Sequence, residues 1–290
     1  MKMTVFTPTY NRAYIIETLY RSLQRQTFTD FEWLVVDDGS NDDTEMLFAK
    51  WQQEENAFAI RYYKQQNGGK CRAINRGLEL AQGELFYVVD SDDYLTDLAL
   101  EKAVEWINDL PADGKFCGVV GNRGYSEEVT PNPPVTEPYY EGDFLDRYHG
   151  IDGERDCIFF TEIHRKYPYP EFPGEKFMTE AVVWNRMAHD GYKVRFYNDI
   201  IWIYEYKEDG LTRAGNRLFM ENPRGYGLWF KEKAVFQKVS LKSLLQLYYN
   251  FTCELSGRLT SREIASCMGT SSAMISVMQC LHKIRHIGVK

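Results

Sequence analysis

The chain has no long apolar run, no paired cysteines and a deficit of positive charge, and each shortage excludes something. No stretch of its 290 residues approaches the ~20 consecutive apolar residues of a membrane-spanning helix. Its six cysteines (Cys71, Cys117, Cys157, Cys253, Cys267, Cys280) are scattered, without metal-like spacing. Reduced thiols in a cytosolic protein are expected rather than a zinc site or a disulfide framework. Met1-Lys2-Met3 leads directly into a strand-like run, so no signal peptide is expected. There is no internal repeat and no low-complexity segment. The net charge is −8, unevenly spread: from Lys231 onward nine basic residues meet three acidic ones, a tail of +6 on a body of −14. An acidic body argues against nucleic acid as a partner. The basic tail suits either an anionic membrane face or a capping helical subdomain with a solvated basic side.

What is present is a full-sized globular composition, 44% apolar and 26% charged, organised as alternating strand and helix signals. A β-rich run at 3–7, a near-continuous apolar run at 31–36 and runs at 58–63 and 84–89 predict four strands, those at 31–36 and 84–89 buried. Helical spacing over 13–26 (Ile15, Ile16, Leu19, Leu23 on one face), 43–55, 70–81 and 98–110 predicts helices between and after them. That alternation implies parallel βαβ units. The middle is less regular, with short apolar pieces at 117–120 and 158–161 and a four-proline loop at 131–138. A helix is expected over 175–189, a closing β-pair over 193–197 and 200–206, and three C-terminal helices over 240–256, 261–268 and 271–284.

Chemistry concentrates where the strands end. Val88-Val89 runs straight into Asp90-Ser91-Asp92-Asp93. A strand that ends in acids delivers them to the carboxyl edge of the sheet, where open α/β folds bind ligands. Two carboxylates one residue apart suit a hard divalent cation that keeps positions open for phosphate oxygens. The alternative is a cap, from Ser91, Asp92 or Asp93, for a helix starting near Asp97. Three more loops fall on the same edge: Thr7-Pro8-Thr9-Tyr10-Asn11-Arg12, then Asp37-Asp38-Gly39-Ser40-Asn41-Asp42, then Asn67-Gly68-Gly69-Lys70 with Arg72. Each has an ordinary reading as a turn or cap. Together they point to one ligand site.

These four motifs, over residues 3 to about 110 and more thinly to about 212, resemble glycosyltransferase family 2. The resemblance implies an α/β GT-A fold: a Rossmann-like, mostly parallel sheet flanked by helices. Its catalytic domain would span 1–215, with a nucleotide-binding half at 1–110 and an acceptor half at 111–215. A C-terminal helical appendage would follow at 216–290. It implies a nucleotide-sugar donor, a UDP-sugar above others, bound by Thr7, Pro8, Thr9, Asn11, Arg12, Asp37, Asp38, Asn67, Gly69, Lys70, Arg72, Asp90 and Ser91. Asp37 or Asp38 would meet the base, and Asp92 would hold Mn²⁺ or Mg²⁺ against the diphosphate. Inverting transfer needs a base for the acceptor hydroxyl. Thr179-Glu180 stands where the family has Glu-Asp, with Arg186 six residues past Glu180. Glu180 is the implied base and Glu175 the fallback.

Downstream, Tyr204-Glu205-Tyr206 and Asp209 to Thr212 resemble the end of the family's catalytic domain, where a histidine can join the metal. No histidine occurs between His189 and His282, leaving Lys207 or Arg213 as candidate phosphate contacts. The Gln-x-x-Arg-Trp signature of processive synthases is absent, so addition of a single sugar is expected. Tyr139, Tyr140, Tyr148, Tyr167, Tyr169 and Trp184 read either as sugar platforms or as packing. The implied setting is cytoplasmic, peripheral on the inner membrane face, in capsule, lipopolysaccharide or other surface polysaccharide synthesis, with a glycan or lipid-linked glycan acceptor. The rival readings are a sugar nucleotidyltransferase, disfavoured by the Thr7–Arg12 loop, and an inactive nucleotide-sugar binder.

Overall fold

The computed structural model describes residues 1–146, 151, 153–205 and 215–287, with side chains to 283. Tyr148, Tyr206, Lys207, Asp209 to Thr212 and Arg213 lie outside the described residues. The chain forms two compact units. One is Met1–Tyr169 with Arg186–Glu208, the other Pro170–Asn185 with Asp209–Lys290.

The first unit is built on one sheet. Its first four strands are β1 (Met3–Thr9), β2 (Phe31–Asp37), β3 (Ala59–Lys64) and β4 (Leu85–Val88), all mutually parallel. Helices α1 (Glu17–Gln24), α2 (Thr44–Trp51) and α3 (Lys70–Leu80) connect them. Beyond come β5 (Tyr94–Leu95), α4 (Ala99–Asn108), β6 (Phe116–Gly124), β7 (Tyr140–Gly142), β8 (Arg155–Phe160), the short α5 (Thr161–His164), α6 (Ala181–His189) and β9 (Lys193–Ile203). Helix α6 begins in the second unit and ends in the first. The strand order is β3-β2-β1-β4-β8-β6-β9-β5, with β7 on β9. The sheet stays parallel through β4. Strand β8 then runs antiparallel to both β4 and β6, while β6 and β9 are parallel.

Strands β1 and β2 are buried at every position, as central strands covered on both faces must be. An aromatic cluster seals one face: Tyr20 stacks on Trp51 at 4.4 Å, and Phe48 meets Trp51 edge-on at 5.1 Å. Glu32, fully buried in β2, is balanced by Arg61 at 2.7 Å and accepts hydrogen bonds from Thr4 Oγ1 and the Gln82 N–H.

Two expected elements differ. The closing β-pair is a single strand, β9. Its Asn198-Asp199, which reads as a turn, is absorbed in a bulge: Phe196 to Ile200 lies opposite only Val120 to Asn122. The helix expected from 175 begins at Ala181, and upstream of it Lys176 and Phe177 donate their N–H groups to Asn222 Oδ1.

The second unit is helical: α7 (Asn216–Glu221), α8 (Pro223–Phe236), α9 (Leu241–Leu255), α10 (Ser261–Met268) and α11 (Ser272–Ile287). Its core gathers Tyr226, Phe251, Leu255, Ile264, Met268 and Ile275. Helix α10 opens on a Thr260–Glu263 capping box and closes on Gly269 at φ 60°.

Strand β8 leaves no room beside β6. A Cβ on Gly118 would lie 2.0 Å from the Ile158 carbonyl oxygen. Gly118→Ala is therefore expected to lower the unfolding free energy by about 2 kcal/mol or more, the cost of overpacking a rigid backbone contact. An unchanged urea midpoint would contradict this.

Candidate active site

The carboxyl edge of β1, β2 and β4 collects the polar loops. Residues Thr7 to Thr9 finish β1 with their side chains buried. Thr7 Oγ1 accepts from Trp33 Nε1 at 3.0 Å, whereas Thr9 Oγ1 is buried with no hydrogen-bond partner. The chain then turns through Asn11, whose φ of 53° is left-handed. Asn11 locks this loop to the next: its N–H donates to Ser40 Oγ at 2.8 Å, and its Oδ1 accepts from the Asn41 N–H at 2.8 Å. Asp42 adds a third tie, accepting from the Ala13 N–H.

Asp37 and Asp38 are both buried and both engaged. Asp37 accepts from the Ser40 N–H and from the Tyr62 hydroxyl, and burial together with that carboxylate raises the Tyr62 pKa. Asp38 shapes the third loop. Its carboxylate accepts from Gln65 Nε2 at 2.8 Å, from the Gly68 N–H at 2.9 Å and from the Gly69 N–H at 2.6 Å, while its carbonyl accepts from Asn67 Nδ2. Gly69, at φ 95°, starts α3 in a conformation that a side chain would resist. Arg72 lies across Gly68, 2.5 Å from where a Cβ would stand.

This turn delivers Lys70 to the acids. Lys70 Nζ is 2.6 Å from Asp90, and Arg12 is 3.7 Å from Asp92. The Asp90 and Asp92 side chains keep 25% and 21% of their surface exposed, so both face outward from the edge. Burial opposes charge on Asp90, but Lys70, Arg123 and Arg12 outweigh it and hold the carboxyl below its usual range. On Asp92 the balance is reversed. Burial and the nearby Asp90 push it up, and Arg12 recovers only part. Ser91 between them is buried.

Beneath the acids lies a group of residues of which the sequence motifs reveal only Asp93. Asp93 turns inward and accepts from Trp202 Nε1 at 2.9 Å. Arg123, from β6, rests its guanidinium 3.9 Å above the Trp202 ring and pairs with the fully buried Asp156 of β8 at 2.5 Å. Burial and Asp90 push Asp93 up to about 8, with Arg123 opposing. The four carboxylates Asp90, Asp92, Asp93 and Asp156 thus share three cations, Lys70, Arg12 and Arg123. The signal for this group is tertiary: it depends on which strands become neighbours in β4-β8-β6-β9.

Glu180 belongs to the second unit. It is half-buried, and its carbonyl accepts from the Val183 N–H as α6 begins. Glu175 is a cap. Its two oxygens accept from the Arg224 N–H at 2.8 Å and the Gly225 N–H at 2.9 Å, at the start of α8. Of the aromatic candidates, Tyr139 lies 4.1 Å beneath the Arg195 guanidinium, Tyr140 and Tyr167 donate to Asp146 and Asp190, and Tyr169 is buried beside His164.

The inward carboxyl makes stability depend on pH. The folded pKa of Asp93, about 8, lies above the unfolded value of about 3.9. Its contribution is present at low pH and is lost as pH rises through 8, with a slope approaching about 1.4 kcal/mol per pH unit. Asp93→Asn keeps an acceptor for Trp202 and removes the charge. Its stability relative to the parent chain should rise between pH 5 and pH 9 in urea titrations with EDTA present. A pH-independent difference would contradict the assignment.

Comparison with known proteins places the chain. A family model described as Glycosyl transferase family 2 matches residues 4–167, more than half of the chain. Glycosyltransferase GlyG of Streptococcus pneumoniae is 32% identical over 234 residues, 73% of each protein. The GalNAc(5)-diNAcBac-PP-undecaprenol beta-1,3-glucosyltransferase of Campylobacter jejuni is 29% identical over 214 residues, 71% of this chain and 60% of that protein. The poly(ribitol-phosphate) beta-N-acetylglucosaminyltransferase TarS of Staphylococcus aureus is 36% identical over 126 residues, 43% of this chain but only 22% of TarS. The chain therefore spans less than two thirds of the length of the last two relatives. The solved structure of TarS residues 1–349 with UDP-GlcNAc superposes with a TM-score of 0.65 at 19% identity, covering 98% of this chain and 92% of that one. That likeness establishes the fold as GT-A. With the family match spanning all four edge motifs, the chain belongs to glycosyltransferase family 2.

Proposed function

We propose that the protein is an inverting, metal-dependent glycosyltransferase that moves one hexosyl or N-acetylhexosaminyl group from a nucleotide-sugar to a hydroxyl of a glycan or lipid-linked glycan. The observation that carries this reading is the end of β4. Asp90 and Asp92 stand there on the ligand-binding edge, with Lys70 and Arg12 beside them and the loops of β1 and β2 locked alongside. A uridine donor is favoured because TarS, whose fold this chain shares, is described in complex with UDP-GlcNAc. A polyprenyl-linked acceptor is favoured by the name of the Campylobacter relative.

In this reading the nucleotide lies over Thr7 to Asn11. Asp37 and Asp38, already bonded to their own loops, frame the base rather than reach for it. Asn67, Gly69 and Ser91 supply the rim, and Lys70 with Arg72 meets the diphosphate. Mn²⁺ or Mg²⁺ fits the donors at Asp92, supported by Asp90. Such ions bind through one or two carboxylates and complete their shell with phosphate oxygens and water. Among the described residues no set of three His, Cys, Asp or Glu forms a closed cage. The upward pressure on Asp92, from burial and Asp90, is what a bound cation relieves. When bound, the metal would stabilise charge developing on the departing nucleoside diphosphate. Glu180, with Arg186 six residues beyond it, takes the acceptor proton in this reading, while both Glu175 oxygens cap α8.

Release of UDP from UDP-sugars with Mn²⁺ tests the proposal, with water or an added glycan as acceptor. Glu180→Gln is expected to slow turnover by about 10²–10⁴-fold with donor affinity unchanged. Glu175→Ala should cost about 1 kcal/mol of stability, the value of a helix cap, and leave turnover of the folded protein intact. The reverse pattern would move the base to Glu175, and no turnover of any nucleotide-sugar would overturn the enzymatic reading.

A further inference from the structure

The C-terminal helices leave an apolar, cationic surface uncovered. Among the described residues seven leucines and valines are exposed, and five fall between 235 and 281: Val235, Leu241, Leu245, Val277 and Leu281. Val235 lies at the end of α8, and Leu241 and Leu245 lie one turn apart at the start of α9. The exposed Lys238, at φ 49°, and Lys242 stand among them. Residues 241–250 include four leucines and two tyrosines, yet none of the ten is buried. Helix α11 packs antiparallel to α9: Thr252 Oγ1 meets Met278 at 3.8 Å, and the Tyr249 ring is 6.3 Å from His282. The exposed Leu281 and Lys283 therefore lie beside the middle of α9, near Tyr248 and Tyr249.

The charge from Lys233 to Cys253 and along α11 has one sign, with Glu232 at its border. No acidic residue occurs between Glu232 and Glu254, and α11 contains none. Isolated apolar side chains among lysines, with no acid, match the boundary between anionic headgroups and acyl chains. A second copy of this chain fits poorly, because a two-fold contact would set the same lysines against each other. No single described helix is long and apolar enough to cross a membrane.

We infer that the surface formed by Val235, Lys238, Leu241, Lys242, Leu245 and Leu281 docks on an anionic lipid bilayer. Docking would bring the enzyme to the plane of a lipid-linked acceptor. That purpose rests on the proposed function; the binding itself does not.

Flotation of the full chain, without nucleotide, tests this with vesicles of phosphatidylcholine alone or mixed with phosphatidylglycerol. Binding is expected only to the mixed vesicles, with release by high salt. Leu241→Asp/Leu245→Asp and Lys238→Glu/Lys242→Glu should each reduce it at least about tenfold. Their positions are exposed, so circular dichroism and thermal unfolding should be unchanged. Three results would overturn the inference: no binding to mixed vesicles, undiminished binding by both variants, or a parent dimer that the variants split without any vesicle binding. Vesicle binding without sugar-nucleotide turnover would leave it standing and remove the transferase reading alone. Turnover without vesicle binding would do the opposite.

Discussion

Carboxylates crowd the end of β4, and the cations set among them allow them to stay there. Asp90, Asp92, Asp93 and Asp156 would repel one another strongly in a partly dry environment. Lys70, Arg12 and Arg123 each arrive from a different element to offset them. Arg123 is held between the Trp202 ring and Asp156. The compensation is incomplete: Asp90 is kept ionised, whereas Asp92 and Asp93 are pushed toward protonation. An edge with unneutralised carboxylates beside a lysine and an arginine can take a divalent cation and a diphosphate together, since each satisfies charge that the other leaves over.

The remainder of the first unit keeps that arrangement in place. Buried strands β1 and β2 fix the height of the edge, and the Glu32–Arg61 pair closes its base. Above them Asp38 gathers the N–H groups of Gly68 and Gly69, which sets where α3 starts and hence where Lys70 points. Asn11 and Asp42 tie the first two loops so that neither can move alone. Several polar residues that look like ligand contacts in sequence are thus framework first, and they position the groups that remain exposed.

The half of the fold made of local βαβ units was readable in the sequence. Each strand there ends in a polar loop, and the helical spacing between runs implies parallel crossovers, while the order β3-β2-β1-β4 comes from the structure. Asp90, Asp92 and Lys70 were legible for the same reason. Arg123, Asp156 and Trp202 were not, because their meeting depends on β8 entering antiparallel and β9 bulging past β6, and neither leaves a local pattern. Glu175 shows the same limit. It sits in a stretch with helical spacing, but the helix it caps starts at Pro223, far along the chain.

The most direct test of this account is the calorimetric affinity of UDP for the parent chain and for Asp92→Ala, each with and without Mn²⁺. The charge balance at β4 predicts tight binding only by the parent chain with metal. It also predicts a loss of at least about tenfold, roughly 1.4 kcal/mol, on removing either Mn²⁺ or the Asp92 carboxylate, with no additional loss on removing both. Equal affinity in all four cases would contradict it, and would mean that the acids at the end of β4 do not hold the donor.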